Sequence, residues 1–509
     1  MNNQEYRDAD SIYKYRKHLA LAFVFFVIYV CVYFPMCVRH GVAVEEAQFR
    51  SDHNPLVLLC NGRWGIFLFR YLTHSGTCLP YAAGILAGVF ISFALIFQVK
   101  LLKLSLLTHK IAYAVFYFAC SSWAYMLRYS NQSHAIALGI LCLSIAVYIQ
   151  FENRPTFKWF LLSSVLLCYA ISTYQTVALY YAVLVIAAFL VRYMKEGFVF
   201  EWRKYVYICA SVVLSVCLYY AVGKLMMTIF FPSNALILRV KEYQQGLTGY
   251  SYFWHAPLRA KCHLLEYFVL KTPVENLLGN TYRGQFIVSL SFIPAMVLVF
   301  ILLKRRLFLG VVGLAFLMVL PYLGGLLVLR GVPVRTFVAE PAAFACVWAL
   351  ALPYMRWDKK GLNAAMILVM GYAFVFSACR VATISRDEHW AWVRSKEEVL
   401  HMYQLARQVA RESGVPACKM YILGRTPIST DHLFDFEDVG FLPDEVYPNI
   451  IKDKLWTNLY LNYLRLPNLR RGDAADIERH REVFDEMSTW PNEGSVKMSK
   501  GEVIIRVGD

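Results

Sequence analysis

The sequence predicts a polytopic α-helical membrane protein with about eleven transmembrane helices, followed by a small α/β domain at the C-terminus. Three observations predict this fold class. Hydrophobic residues make up 58% of the 509 residues and charged residues only 17%, whereas a soluble domain of this size carries more charge on its surface. Basic residues cluster in alternate loops between apolar runs. The composition then becomes polar after about residue 380.

Apolar runs define the predicted membrane domain, residues 1–379. In chain order, the predicted helices lie at roughly 18–38, 80–99, 110–127, 134–151, 158–173, 176–192, 205–227, 286–303, 307–328, 337–354 and 361–379. The connections between them are short, except for two long loops at roughly 39–79 and 228–285. These two loops have room for a binding site.

The distribution of Lys and Arg predicts the orientation of the chain. Arg7 and Arg16 precede the first helix, which places the N-terminus in the cytoplasm. Every second loop is then basic, and the short loops between them are nearly uncharged, apart from Arg128, Arg330 and Arg335. With about eleven spans, the loops 39–79 and 228–285 and the tail 380–509 are all expected on the external face.

The tail, residues 380–509, is predicted to be a small mixed α/β domain. Ser395–Gly414 has the apolar spacing of an amphipathic helix, and Asp473–Met487 has that of a second helix with Asp473 as its N-cap. Lys419–Leu423 is a short, mostly apolar run and Glu502–Val507 is rich in β-branched residues, and both are typical of strands.

Composition and motifs exclude several classes of function. The net charge is +16, but the cations are spread over loops rather than gathered on one hydrophilic domain, so nucleic acid is not an expected partner. The cytoplasmic loops are too short for a nucleotide-binding domain, and the sequence has no phosphate-binding glycine loop. No Cys or His group has metal-ligand spacing. Cys60 and Cys78 share one external loop, as a disulfide or as two thiols.

The first external loop contains the candidate catalytic residues. Glu45 and Glu46 follow the first helix directly, and Arg50 and Asp52 come next as candidate substrate-binding residues. A carboxylate at the membrane boundary suits a general base that takes a proton from a hydroxyl attacking a lipid-linked sugar. The alternative is an ordinary solvated loop.

Cations and hydrogen-bonding groups on the external side complete the predicted site. Arg330 and Arg335 lie in a tight external loop, where they could hold a lipid phosphate or contact headgroups. Arg63 could bind the same phosphate or pair with the acids, and its neighbour Trp64 is a further candidate substrate-binding residue. Tyr174-Gln175 lies at a turn between two helices and could hydrogen-bond sugar hydroxyls, or supply only loop polarity.

Four motifs occur along the chain in this order: Glu45-Glu46-x-x-x-Arg50 with Asn61-Gly62-Arg63-Trp64, then Tyr174-Gln175, then Gly331-x-Pro333-x-Arg335, and finally Trp490–Val496 with Gly501–Ile505. In these motifs and their order, the chain resembles the Gtr-type O-antigen glucosyltransferases, the serotype-converting enzymes. Members of that family often have two aspartates where this chain has Glu45-Glu46. Which of the two glutamates acts as the base therefore stays open.

The resemblance implies a membrane fold like that of the C-type glycosyltransferases, in the bacterial inner membrane with the active site facing the periplasm. The donor would be undecaprenyl-phosphate glucose, supplied by a separate synthase and flippase. The acceptor would be the lipid-linked O-antigen repeat unit. Transfer would invert the anomeric centre, and no metal or other cofactor is expected.

Three other functions are compatible with a membrane chain of this kind. An O-antigen polymerase would share the substrates, but it would depend on Arg-rich external loops. A transporter or flippase of lipid-linked glycans would carry charges in mid-helix and show repeat symmetry, and Glu340 is the main such charge here. A membrane acyltransferase would need a catalytic His, and no His is predicted in a helix core.

Overall fold

The computed structural model describes residues 3–38, 58–59, 61–73, 80–120, 122–127, 129, 132–197, 201–230, 286–323, 337–354, 360–416, 418–424, 458, 461–462 and 464–507. The chain divides by its internal contacts into two units. Unit 1 comprises residues 1–38 and 55–383, and unit 2 comprises residues 39–54 and 384–509.

Unit 1 is helical throughout its described part. Its helices are α1 (Asn3–Val38), α2 (Trp64–Thr73), α3 (Pro80–Leu101), α4 (Leu107–Phe118), α5 (Ser122–Leu127), α6 (Ser133–Glu152), α7 (Phe157–Thr173), α8 (Val177–Glu196), α9 (Trp202–Phe230), α10 (Phe286–Lys304), α11 (Phe308–Val319), α12 (Glu340–Ala351) and the first part of α13 (Lys360–Glu412). Single 3₁₀ turns, Leu320–Tyr322 and Leu352–Tyr354, extend α11 and α12.

Six helices in the described ranges are long and apolar enough to cross a membrane. They are Arg16–Val38, Tyr81–Leu101, Ser133–Glu152, Val177–Glu196, Trp202–Phe230 and Ala364–Arg386. Shorter apolar helices lie at Phe157–Thr173, Leu290–Lys304 and Phe308–Tyr322. The predicted membrane character is thus confirmed, while the number of eleven spans stays a prediction.

Helix α12 lies at the centre of unit 1. All twelve of its residues are buried, and it packs against α4, α8 and α10. Five of the twelve are alanines, whose small side chains let neighbouring helices approach closely. Around it, α3 packs between α1 and α6, and α7 packs between α6 and α9.

A buried polar network joins four of these helices. Gln98 on α3 donates from Nε2 to Ser144 Oγ at 2.9 Å and to Tyr180 Oη at 2.8 Å, and it accepts from Tyr113 Oη at 2.6 Å. Tyr180 in turn donates to Tyr117 Oη at 3.0 Å. A lone amide in an apolar bundle would be costly, and these partners satisfy it.

The predicted helix 110–127 is two helices. Helix α4 ends at Phe118 and α5 begins at Ser122. The carbonyls exposed by the break are satisfied from distant parts of the chain: Tyr33 Oη donates to Phe118 O at 3.0 Å and to Cys120 O at 2.6 Å. Ser377 Oγ donates to Ala119 O. A helix can break inside a membrane when its carbonyls find such partners.

Two further predicted spans differ from the structure. The span 361–379 does not end there, because α13 continues as one helix through the predicted amphipathic helix Ser395–Gly414. The span 307–328 is helical as far as residue 323, and its remainder lies outside the described residues.

Basic residues gather at one end of unit 1, which we call the basic end: Lys103, Arg192, Lys195, Lys204 and Arg305. Lys103 Nζ lies 3.6 Å from Glu196 Oε1, at the end of α8. Arg305 Nη1 donates to Met194 O at 3.1 Å, also on α8. Arg192 bonds Glu152 Oε1 at 2.6 Å, and Lys204 lies 5.7 Å from the centre of the Phe151 ring. Cations from three predicted cytoplasmic loops therefore meet.

Unit 2 contains a four-stranded sheet between helices. Its strands are β1 (Met420–Leu423), β2 (Leu469–Arg471), β3 (Val496–Ser499) and β4 (Glu502–Arg506), in the order β2-β1-β4-β3. Strand β1 is parallel to both neighbours, and β3 forms an antiparallel hairpin with β4. Two short helices, α14 (Ala474–Arg479) and α15 (Arg481–Asp485), follow β2.

The second part of α13 covers one face of this sheet. Val399, Met402 and Ala406 pack with Ile422 and Ile505 in the main core of unit 2. Phe484 and Met487 pack on the other face with Leu423 and Ile504. The predicted amphipathic helix and the two predicted strands are therefore confirmed, and β2 and β3 are additional.

The predicted helix Asp473–Met487 is interrupted at His480. Asp473 is its N-cap as predicted, accepting from Ala475 N at 3.0 Å and Asp476 N at 3.1 Å. The buried His480 ring lies between α14 and α15, with Nδ1 2.9 Å from Ser499 Oγ and Nε2 3.2 Å from Glu502 Oε2. These contacts fix the ring, and the helix is split where the ring turns toward the hairpin.

Candidate functional site

The chain makes a tight turn immediately before α2. Gly62 N donates to Leu59 O at 2.9 Å and Arg63 N donates to Leu58 O at 2.7 Å, the pair of bonds that ends a helical turn with a left-handed residue. Gly62 has φ +70°, and a Cβ placed there would lie 2.3 Å from Tyr219 Oη. Both the backbone conformation and the available space therefore favour glycine at this position.

Arg63 is held between two loops of unit 1. Its Nη1 donates to Gln132 Oε1 at 3.0 Å, and its guanidinium carbon lies 4.8 Å from the centre of the Tyr174 ring. Gln132 and Tyr174 are both buried, Gln132 directly before α6 and Tyr174 directly after α7. The cation therefore has a fixed position, which favours recognition of a phosphate.

Gln175 and Trp64 connect the same turn to α9. Gln175 Nε2 donates to Asn61 O at 2.8 Å and to Tyr219 Oη at 3.3 Å. Trp64 Nε1 donates to Tyr219 O at 3.2 Å, and the two rings stack with centroids 6.5 Å apart. Trp64 is 5% exposed, while Gln175 is exposed at the surface.

Four of the predicted site residues are thus brought together: Arg63, Trp64, Tyr174 and Gln175. The other six lie outside the described residues: Glu45, Glu46, Arg50, Asp52, Arg330 and Arg335. Their placement stays a prediction, as does the state of Cys60 and Cys78. The four described residues anchor the start of α2, which follows the acidic pair in the sequence.

The sequence interpretation missed two residues of this cluster, Gln132 and Tyr219. Gln132 lies in a polar stretch between two apolar runs, which is a weak signal for a polar contact. Tyr219 lies within an apolar helix that contains several tyrosines, and only the tertiary structure distinguishes it from its neighbours.

A buried carboxyl group lies elsewhere in unit 1, at the start of α12. Glu340 is 2% exposed, and Tyr322 Oη donates to its Oε1 at 2.5 Å. The amino end of a helix favours a carboxylate. Tyr322 and Glu340 also flank, in sequence, the segment that contains Arg330 and Arg335. In the sequence, Glu340 is a lone acid before an alanine-rich run, a pattern that we used above only to weigh a transporter.

The expectation that no His lies in a helix core is wrong. His109 on α4 and His134 on α6 are 4% and 1% exposed. Both belong to the first turn of their helix, where hydropathy patterns do not separate a buried residue from a loop residue. His134 packs edge-on against the Phe69 ring at 5.0 Å, a packing contact. Within the described ranges, no group of three or more His, Cys, Asp or Glu side chains is placed to hold a metal ion.

Comparison with known proteins gives one family. The sequence profile described as Glucosyl transferase GtrII matches residues 45–353, which is more than half of the chain. The match begins at Glu45 and includes all ten predicted site residues. No curated protein and no solved structure matches the chain.

Proposed function

The chain belongs to the GtrII family of glucosyltransferases, and we propose that it transfers glucose from undecaprenyl-phosphate glucose to a lipid-linked O-antigen repeat unit. The family match over residues 45–353 carries this proposal. The apolar helices add support, because a lipid-linked donor and acceptor are reached from within a membrane.

In the proposed reaction, a carboxylate of the pair Glu45–Glu46 accepts the proton of an acceptor hydroxyl. The hydroxyl oxygen forms a bond to the anomeric carbon, and the bond from that carbon to the phosphate oxygen breaks. The lipid phosphate leaves with the electron pair, and attack from the opposite face inverts the anomeric centre. Arg50 and Asp52 bind substrate beside the acids.

Stabilising the departing phosphate requires cations on the same face. Arg63 is the described candidate, because Gln132 and the Tyr174 ring hold its guanidinium in place. We assign Arg330 and Arg335 the same task. Tyr174 and Gln175, with Trp64, shape the sugar-binding wall. The reaction requires no metal in this scheme.

The distribution of charge favours an active site on the periplasmic face of the bacterial inner membrane. Cations of three loops meet at the basic end, and the cytoplasmic face of membrane proteins carries such an excess of Lys and Arg. Two functional partners follow from this orientation: a donor synthase makes the lipid-linked sugar, and a flippase delivers it to the periplasmic face.

The test is expression in a bacterium whose O-antigen lacks side-branch glucose, with the donor synthase and flippase present. Mass spectrometry of the polysaccharide compares the wild type with Glu45→Gln and Glu46→Gln. Glu201→Gln is the matched control, because it makes the same change in an exposed acid directly before α9, next to the basic end.

One added hexose per repeat unit, lost in one acid variant but retained in the control, would support both the transfer and the base. If both acid variants still add the hexose, neither Glu45 nor Glu46 alone is the base, and Asp52 is the next candidate. No added hexose would reject transfer to this acceptor. Changed chain length without added hexose would favour the polymerase instead.

A further inference from the structure

A cavity of about 260 Å³ opens at the basic end of unit 1. It lies where α3 and α8 end and where α4 begins, and Tyr354 closes one side. Lys103, His109 and Lys195 contribute polar groups, together with Ser105. None of the described residues that line it is acidic.

Lys103 occupies a position that usually belongs to glycine. Its N donates to Lys100 O at 3.0 Å and Leu104 N donates to Val99 O at 3.1 Å, so the residue caps α3 in the left-handed conformation, with φ +54°. A lysine here accepts backbone strain that a glycine would avoid. Lys103 lines the cavity, and its Nζ lies 3.6 Å from Glu196 Oε1.

A third cation reaches the cavity wall from α10. Arg305 donates to Met194 O at 3.1 Å, and its guanidinium carbon lies 5.1 Å from the centre of the Tyr354 ring. Met194 and Tyr354 both line the cavity. The following residue, Arg306, has φ +59° and caps α10 as Lys103 caps α3. Of these two basic left-handed caps, Lys103 lines the cavity itself, and Arg306 directly follows Arg305 in sequence.

The rest of the lining is apolar and continues to the surface. Leu102, Leu104 and Leu350 form part of the wall. At the mouth, Leu106 is 51% exposed and its neighbour Leu107 is 61% exposed. Exposed leucines beside a cation-lined cavity match a molecule with an anionic head and an apolar body.

We propose that this cavity binds the phosphate of an anionic phospholipid, with the acyl chains lying along Leu106 and Leu107. Lys103 and Lys195 bind the phosphate oxygens. Arg305 lies behind Met194 and Tyr354 in the cavity wall, and its positive charge also attracts the phosphate. This site lies at the end of the bundle that carries the cytoplasmic loops in our topology, and it does not depend on the proposed reaction.

The experiment measures lipid binding to the purified full-length chain by native mass spectrometry. The probes are phosphatidylglycerol and phosphatidylcholine. The variant Lys103→Gly/Lys195→Gln removes both lysines, and glycine keeps the left-handed cap of α3. The matched control is Arg203→Gln/Lys204→Gln, which removes two cations from the same face outside the cavity.

We expect wild type to prefer phosphatidylglycerol and the cavity variant to bind it roughly thirtyfold more weakly, because two lysines beside an anionic headgroup are lost. The control should keep the wild-type affinity. If the double variant does not fold, Lys195→Gln alone should weaken binding roughly fivefold. Equal binding of the two lipids, or an equal loss in the control, would overturn the site. Displacement of phosphatidylglycerol by an equal concentration of inorganic phosphate would overturn the lipid as its occupant.

Discussion

Substitution of Gly62 tests whether the turn before α2 positions the active site. An alanine at Gly62 must adopt φ +70°, which costs about 1–2 kcal/mol. Its Cβ would also lie 2.3 Å from Tyr219 Oη, so the hydroxyl must move and lose its 3.3 Å bond from Gln175. That loss adds about 1 kcal/mol. We therefore expect Gly62→Ala to destabilise the chain by about 2–3 kcal/mol.

Gly414→Ala is the matched control for this substitution. Gly414 ends α13 with the same pair of backbone bonds and with φ +76°, but a Cβ there would contact nothing within 4 Å. It should therefore show only the conformational cost, about 1–2 kcal/mol. In a Tyr219→Phe background the hydroxyl is absent, and the cost of Gly62→Ala should fall to the same range.

The assay is denaturant unfolding of the purified chain in mixed micelles, combined with mass spectrometry of the O-antigen. We expect Gly62→Ala to lower glucose incorporation and Gly414→Ala to leave it unchanged. A Gly62→Ala chain as stable and active as wild type would refute the reasoning. So would a cost of Gly62→Ala that is unchanged in the Tyr219→Phe background.

Three further predictions concern other parts of the fold. Gln98→Leu removes the centre of the buried network and should destabilise unit 1 by about 2 kcal/mol in unfolding titrations; a neutral result would contradict the network's role. Tyr322→Phe removes the hydrogen-bond donor to Glu340 and should lower both stability and glucose transfer. Glu340→Gln keeps an acceptor oxygen and should therefore retain more stability and more transfer than Tyr322→Phe. A Glu340→Gln chain less stable and less active than Tyr322→Phe would contradict the pairing. Burial raises the pKa of Glu398 above its ordinary value. This effect outweighs the hydrogen bond from Trp490 Nε1 and the positive charge of Arg394, which both lower the pKa. The folded carboxyl therefore binds its proton more tightly than the unfolded one, and its contribution to stability is lost as the pH rises through the raised pKa. Unfolding titrations from about pH 4 to 7 should show this loss in wild type and less of it in Glu398→Gln; equal pH dependence in both chains would exclude Glu398 as the cause.

Elements with strong local patterns could be predicted from the sequence. The strands at Met420–Leu423 and Glu502–Arg506 are β-branched or apolar runs, and Asp473 has the spacing of an N-cap. Strand β2, with two arginines in three residues, has no such pattern. It forms because β1 offers a parallel edge, as Met420 pairs with Leu469.

Interactions between distant residues limited the rest of the prediction. The break between α4 and α5 contains no Pro or Gly, and it depends on Tyr33 and Ser377, which lie far away in sequence. Tyr174-Gln175 could be singled out as a polar turn between helices, but its partners Asn61 and Tyr219 could not. Polar contacts across an apolar bundle leave almost no trace in local hydropathy.

Reconstitution of the purified chain in liposomes tests the central proposal most directly. The liposomes contain undecaprenyl-phosphate glucose labelled in the sugar, together with a lipid-linked O-antigen repeat unit, and the products are separated by chromatography. We predict one labelled glucose on each repeat unit and an equal amount of released undecaprenyl phosphate, with neither product in the Glu45→Gln/Glu46→Gln chain. Transfer from a nucleotide-linked glucose in liposomes without the lipid donor, or no transfer from the lipid donor, would contradict the account.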